Sequence, residues 1–188
     1  FQSTLGGLFK SAQKAVGGAA NTVVREVDRH VSSENLEMFN NGNIVSLQSR
    51  ETSRCLQVSS CGVLSANGLQ HDKSGHFRVV NCGQNVVLLQ SAIYPSWYIA
   101  NHGGRIVGNG SGDPSCKFRL HETMNGFITL ESVASPNQHV GVNADGEMKP
   151  ADLVRKENSA MWVPTVVCGP QPIVHVEQTT VTRSVHSH

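Results

Sequence analysis

The chain of 188 residues is most informative first for what it lacks. No stretch approaches the roughly 18 consecutive apolar residues that a membrane-spanning helix needs. No basic excess exists: fifteen Lys plus Arg stand against fourteen Asp plus Glu. That balance argues against a nucleic-acid binder, which neutralises phosphates with surplus cations. The five cysteines, Cys55, Cys61, Cys82, Cys116 and Cys168, contain no CxxC pair, which argues against a structural zinc site. Two disulfides and one spare thiol are the alternative, and their pairing is left open. No GxSxG elbow, HExxH helix or Walker loop occurs, so no enzyme class is indicated. The run Gly108-Asn109-Gly110-Ser111-Gly112 has a phosphate loop's composition but not its lysine, and is expected to be a long surface loop.

Charged residues make up only 15% of the chain, while Gly, Ser, Asn and Val are common. Such a composition favours turns and short strands over long helices. A repeat then emerges. Gly62, Gly104 and Gly146 lie 42 residues apart, as do Cys55, Trp97 and His139. Strand-like openings recur as Val45-x-Leu47-x-Ser49, Val87-x-Leu89-x-Ser91 and Ile128-x-Leu130-x-Ser132. Each repeat closes on a large aromatic: Phe77, Phe118 or Trp162.

Within each repeat the apolar residues alternate with period two, the mark of a half-buried strand. The repeated glycines supply the positive φ of a tight hairpin. Asn125-Gly126 and Cys82-Gly83 mark turns between repeats. A four-stranded unit cannot bury its own apolar face, whereas three units can close a barrel and remove exposed edges. The expected fold is therefore all-β: a β-trefoil over residues 43–167. Its expected core is Val45, Leu47, Leu56, Val58, Leu64, Phe77, Val87, Leu89, Tyr98, Ile106, Phe118, Ile128, Leu130, Val140, Met148 and Trp162. Trp97, next to Tyr98, is expected to face outward as a surface aromatic.

The flanks differ from the repeats. Residues 1–40 carry apolar residues at three- and four-residue steps, from Leu5 and Leu8 to Val27 and Val31. This is an amphipathic helical pattern, interrupted at Gly17-Gly18. Its apolar stripe either packs on the trefoil or on another copy, or contacts a membrane through residues 1–31. Residues 168–188 form an extended, β-prone tail suited to pairing with another chain's sheet. In it, His175, His186 and His188 are the candidate ligands for Zn²⁺ or Cu²⁺; no other cofactor is expected. Phe1 in place of Met suggests a removed secretory leader, and Asn109-Gly110-Ser111 is a glycosylation sequon.

LQSAIYPSWYIA at residues 89–100 resembles interleukin-1-type cytokines, and residues 140–167 resemble the last part of fibroblast growth factors. The latter show Gly, four residues, Gly, two residues and Lys, matched by Gly141, Gly146 and Lys149. The resemblance implies a β-trefoil that acts as a receptor ligand, with a basic loop after Lys149 that holds sulfated glycans. This chain offers Lys149, Arg155 and Lys156 beside Asp152, so weak, easily screened glycan binding is expected. Ricin-type lectins carry Gln-x-Trp late in each repeat, and no triplet here fits.

Three functions follow. The first is a secreted structural or interaction protein whose tails bind copies of itself or extracellular protein and glycan. The second is a growth-factor or cytokine-like ligand. The third is a carbohydrate-binding module carrying a membrane-active N-terminal helix, with Trp97 as its test residue.

Overall fold

The computed structural model describes residues 34–170. A short helix α1 (Glu34–Glu37) leads into ten strands. They are β1 (Ile44–Ser49), β2 (Cys55–Val58), β3 (Leu64–Gly68), β4 (Phe77–Gly83), β5 (Val86–Ser91), β6 (Tyr98–His102), β7 (Arg105–Gly110), β8 (Phe118–Glu122), β9 (Ile128–Ser132) and β10 (Trp162–Cys168). All strand pairings are antiparallel.

Six of these strands close a ring in the order β1, β4, β5, β8, β9, β10 and back to β1. Closure pairs an early-strand aliphatic with the repeat's aromatic: Val45 with Phe77, Val87 with Phe118, and Ile128 with Trp162. All six side chains are essentially fully buried. Burying such a side chain contributes about 1.5–3 kcal/mol. The hairpins β2–β3 and β6–β7 cap one end. The third hairpin is reduced to the single bridge Val142–Met148.

The repeated Leu-x-Ser phrase has a mechanical reason. Ser49, Ser91 and Ser132 are buried, and their hydroxyls accept amide hydrogens from the turn that follows. Their own amides donate to Arg54, Trp97 and Gln138 carbonyls, which fixes the start of the next strand.

Here the structure corrects the simple 42-residue period. The strand partners are Gln48 with Cys55, Gln90 with Tyr98, and Glu131 with His139. Tyr98, not Trp97, is thus the counterpart of Cys55 and His139. The turn from Ser91 to Trp97 is one residue longer than that from Ser49 to Arg54, and the hairpin after Tyr98 is one residue shorter. The two changes cancel by the glycines, so the glycine period hides the slip. A one-residue slip exchanges the faces of a strand. Ile99, not Tyr98, therefore joins Leu56 and Val140 in the main core. Tyr98 packs with Leu88, Ala100 and Cys116 in a smaller cluster. Met148 is only partly buried. Phe39, Val79 and Leu120 are core residues that alternation alone did not single out.

Two further expectations change. Gly108, Asn109 and Gly110 belong to β7 rather than to a loop, because both glycines are buried against neighbouring strands. A Cβ on Gly108 would lie 2.5 Å from Val58 Cγ2, and one on Gly110 would lie 2.6 Å from Ala100 Cβ. The disulfide expectation is corrected as well: Cys55, Cys61, Cys82 and Cys116 are free thiols. Cys55 and Cys116 are buried in packing positions, Cys61 lies on an exposed turn, and Cys82 is exposed near the end of β4. The amphipathic pattern up to residue 33 and the tail from residue 171 lie outside the described residues.

Candidate functional site

The three hairpins meet in a ring of hydrogen bonds at one end of the barrel. Gly62, Gly104 and Gly146 have φ of 83°, 97° and 90°, a region that favours glycine. Each of their carbonyls accepts an amide from a neighbouring repeat: Gly108 to Gly62 at 2.8 Å, Ala151 to Gly104 at 2.7 Å, and Ala66 to Gly146 at 2.7 Å. The residue after each donor is polar, giving Asn67, Asn109 and Asp152 as equivalents about the threefold axis. These three line an open cavity of about 1120 Å³ drawn from all three repeats. Val63, Arg105, Glu147 and Lys149 complete its wall, so its charge is mixed.

The loop beyond this cavity holds the expected cations. Residues 149–157 wrap the short 3-10 turn Ala151–Leu153, with Ala151 and Val154 buried as its anchors. Gly141 must lack a side chain, since a Cβ there would sit 2.7 Å from Val154 Cγ1. Lys149 continues the hairpin, its amide donating to the Gly141 carbonyl at 2.9 Å. The Gly-x4-Gly-x2-Lys spacing therefore has a physical reason at each position: a close approach, a left-handed turn and a cavity-lining cation.

The Lys149 ammonium lies 3.4 Å from the Glu157 carboxylate, which also accepts from Ser159 Oγ at 3.0 Å. Arg155 and Lys156 are exposed, and Asp152 lies exposed on the same loop. One of three cations is thus partly satisfied internally, and exposed pairs of this kind weaken further in salt.

Behind the loop sits a histidine–carboxylate cluster not anticipated as a unit from spacing. Glu131 accepts from the Asn137 amide at 2.8 Å and pairs with His121 Nε2 at 2.7 Å. The Asn137 bond, more than His121, holds the Glu131 carboxyl below its usual range. His139 is the strand partner of Glu131, is buried, and makes no hydrogen bond with either ring nitrogen. Burial pushes its pKa down, with Lys156 and His121 reinforcing this and Glu131 and the Asn137 backbone opposing it. The His139 amide reaches the Ala151 carbonyl at 3.4 Å, tying the cluster to the basic loop.

The other expected residues are dispersed. Trp97 is half-buried against the core and leans on Tyr94 with ring centroids 4.6 Å apart, which corrects the expectation of an outward aromatic. Its burial follows from the one-residue slip. Asn109 is exposed at the cavity. His175, His186 and His188 lie outside the described residues. The buried thiols of Cys55 and Cys116 have pKa values raised by desolvation, the opposite of an activated nucleophile. Among the described residues no group of His, Cys, Asp or Glu is arranged to hold a metal ion, and no helix is long and apolar enough to cross a membrane.

Comparison with known proteins agrees with this geometry. The fibroblast growth factor family model matches residues 43–162. That span runs from the residue before β1 to the Trp162 that closes the barrel. A search of curated proteins gives no significant match.

Proposed function

The chain belongs to the fibroblast growth factor family, and from that premise we propose that it is a secreted, non-enzymatic ligand for an extracellular receptor. The observation that carries this reading is the family match, which covers nearly two thirds of the chain and includes the Gly141, Gly146 and Lys149 motif. Members of this family are signalling ligands that engage receptors and glycans outside the cell. The barrel is a rigid block whose exposed faces, rather than a catalytic cleft, offer binding surface.

Lys149, Arg155 and Lys156 form the glycan-facing side of this ligand. Their attraction for a sulfated chain is weak, because Glu157 engages Lys149 and Asp152 stands beside them. The receptor therefore supplies most of the affinity, and the glycan a salt-sensitive supplement. This ligand reading displaces the structural, self-assembling one. Self-assembly rested on tails outside the described residues, whereas the family match rests on the barrel. A lectin reading that relied on Trp97 loses its platform.

The test is to apply the labelled full chain to cells with and without enzymatic removal of surface heparan sulfate. Saturable binding that survives the treatment supports a protein receptor. Binding abolished by the treatment would make the glycan the main partner, and no saturable binding at all would refute the ligand reading.

A further inference from the structure

We infer that Asn109 is an N-glycosylation site whose glycan caps the hairpin end of the barrel. The inference rests on the secretory part of the reading above, and several independent features of the structure support it.

Asn109-Gly110-Ser111 is the chain's single Asn-x-Ser/Thr triplet. Position on β7 decides where its side chain goes. Gly108 and Gly110 are buried and Asn109 between them is exposed, as strand alternation requires. The three axis-related positions then differ in chemistry. Asn67 Nδ2 is engaged, donating to the Asp145 carbonyl at 3.2 Å. Asp152 has no amide nitrogen. Asn109 Nδ2 has no hydrogen-bond partner among the described residues, and only this member of the ring pairs a free amide with a hydroxyl two residues on.

Space is also provided. The side chain borders the open cavity of about 1120 Å³. Gly62 stands beside it, and a Cβ at that position would lie 2.7 Å from Asn109 Nδ2. The absent side chain at Gly62 makes room for the Asn109 carboxamide itself. Ser111 is exposed, its hydroxyl 3.4 Å from Asp113.

In the transfer, Asn109 Nδ2 attacks C1 of the first sugar of a lipid-pyrophosphate-linked oligosaccharide. The new bond is C1–N, the bond broken is C1–O, the lipid pyrophosphate leaves, and the amide gives up one proton. The product places a bulky hydrophilic group over Cys61, Arg105 and the cavity mouth. Protein partners must then dock on the barrel's sides rather than on its hairpin end.

The experiment expresses the full chain behind an appended secretory leader in eukaryotic cells, so that the outcome does not depend on how the natural chain is exported. Intact mass should show one N-glycan, removed by peptide N-glycosidase. Asn109→Gln and Ser111→Ala should each abolish it, and Ser111→Thr should retain it. With the leader in place, secreted protein of unmodified mass overturns the inference, as does a glycan that persists in Asn109→Gln. Failure of the natural chain to reach the medium would instead count against the secretory reading alone. Peptide-mapped alkylation by a bulky maleimide tests the cap itself. Cys61 should react several-fold more slowly in the glycosylated form while exposed Cys82 is unchanged, and equal rates at Cys61 would contradict the capping.

Discussion

The Ala66 amide donates to the Gly146 carbonyl at 2.7 Å, joining the first repeat to the third. With its two counterparts it completes a cycle in which every repeat gives one hydrogen bond and receives one. The trefoil is thereby closed twice, once by strand pairing around the barrel and once by hairpins across its end. Gly146 is under two constraints there. Its φ of 90° is unfavourable for a side chain, and a Cβ would collide with the Asn67 carboxamide.

Gly146→Ala should therefore cost about 1–3 kcal/mol, chiefly from backbone strain and in part from displacing the exposed Asn67 carboxamide. Gly126 has a similar φ of 86° but nothing near its Cβ position. Gly126→Ala should cost only about 1 kcal/mol, from the backbone alone. Urea denaturation of both variants checks the difference. Equal losses would mean that the hairpin ring adds nothing.

The buried serines offer a second test. Ser91 Oγ accepts from the Ile93 and Tyr94 amides at 3.2 and 2.9 Å. Ser91→Ala should destabilise the fold by about 1–2 kcal/mol, because two turn amides lose their acceptor. Ser96, exposed in the same turn, should change stability by less than about 0.5 kcal/mol when replaced by alanine.

Much of the architecture was legible because closure of a threefold barrel repeats the same physical demands. Leucines 47, 89 and 130, serines 49, 91 and 132, and the three terminal aromatics face equivalent surroundings, so they recur in the text. What hid from the sequence was compensation. A longer turn before Tyr98 and a shorter hairpin after it left the glycine period intact while shifting the strand between them. Trp97 and Tyr98 were misplaced for that reason. The cavity ring was also invisible, since Asn67, Asn109 and Asp152 become neighbours only through long-range hydrogen bonds. Alternation sets His139 on the face opposite Val140, away from the main core, so its burial gave no signal in the sequence.

His139 gives a pH prediction. Its pKa in the fold is pushed below the usual 6.5, chiefly by burial, although the facing Glu131 opposes this and Lys156 and His121 add to it. The unfolded chain then binds more protons just below 6.5, so stability is full above that value and falls as the pH drops through the window beneath it. The melting temperature should decline from about pH 7 to about pH 5, where unperturbed histidines titrate. In His139→Gln that slope should be markedly reduced. Glu131 acts in a lower window: its depressed pKa contributes stability above the usual 4.5 that is lost as pH falls below it. An unchanged slope in His139→Gln would assign the acid sensitivity to other groups.

Glu157 restrains the basic loop. Glu157→Gln should release Lys149 and remove one opposing charge, so elution from a heparin column should move to higher salt. Lys149→Ala, Arg155→Ala and Lys156→Ala should each move it lower. No movement in any of the four variants would place glycan contact elsewhere on the surface.

The most direct measurement is chemical cross-linking of the labelled full chain to intact cells stripped of heparan sulfate. A receptor ligand should yield a discrete cross-linked surface protein whose band disappears with excess unlabelled chain. If cross-linking returns only multimers of the chain itself, at concentrations where the label binds cells, the ligand account is contradicted and self-assembly takes its place.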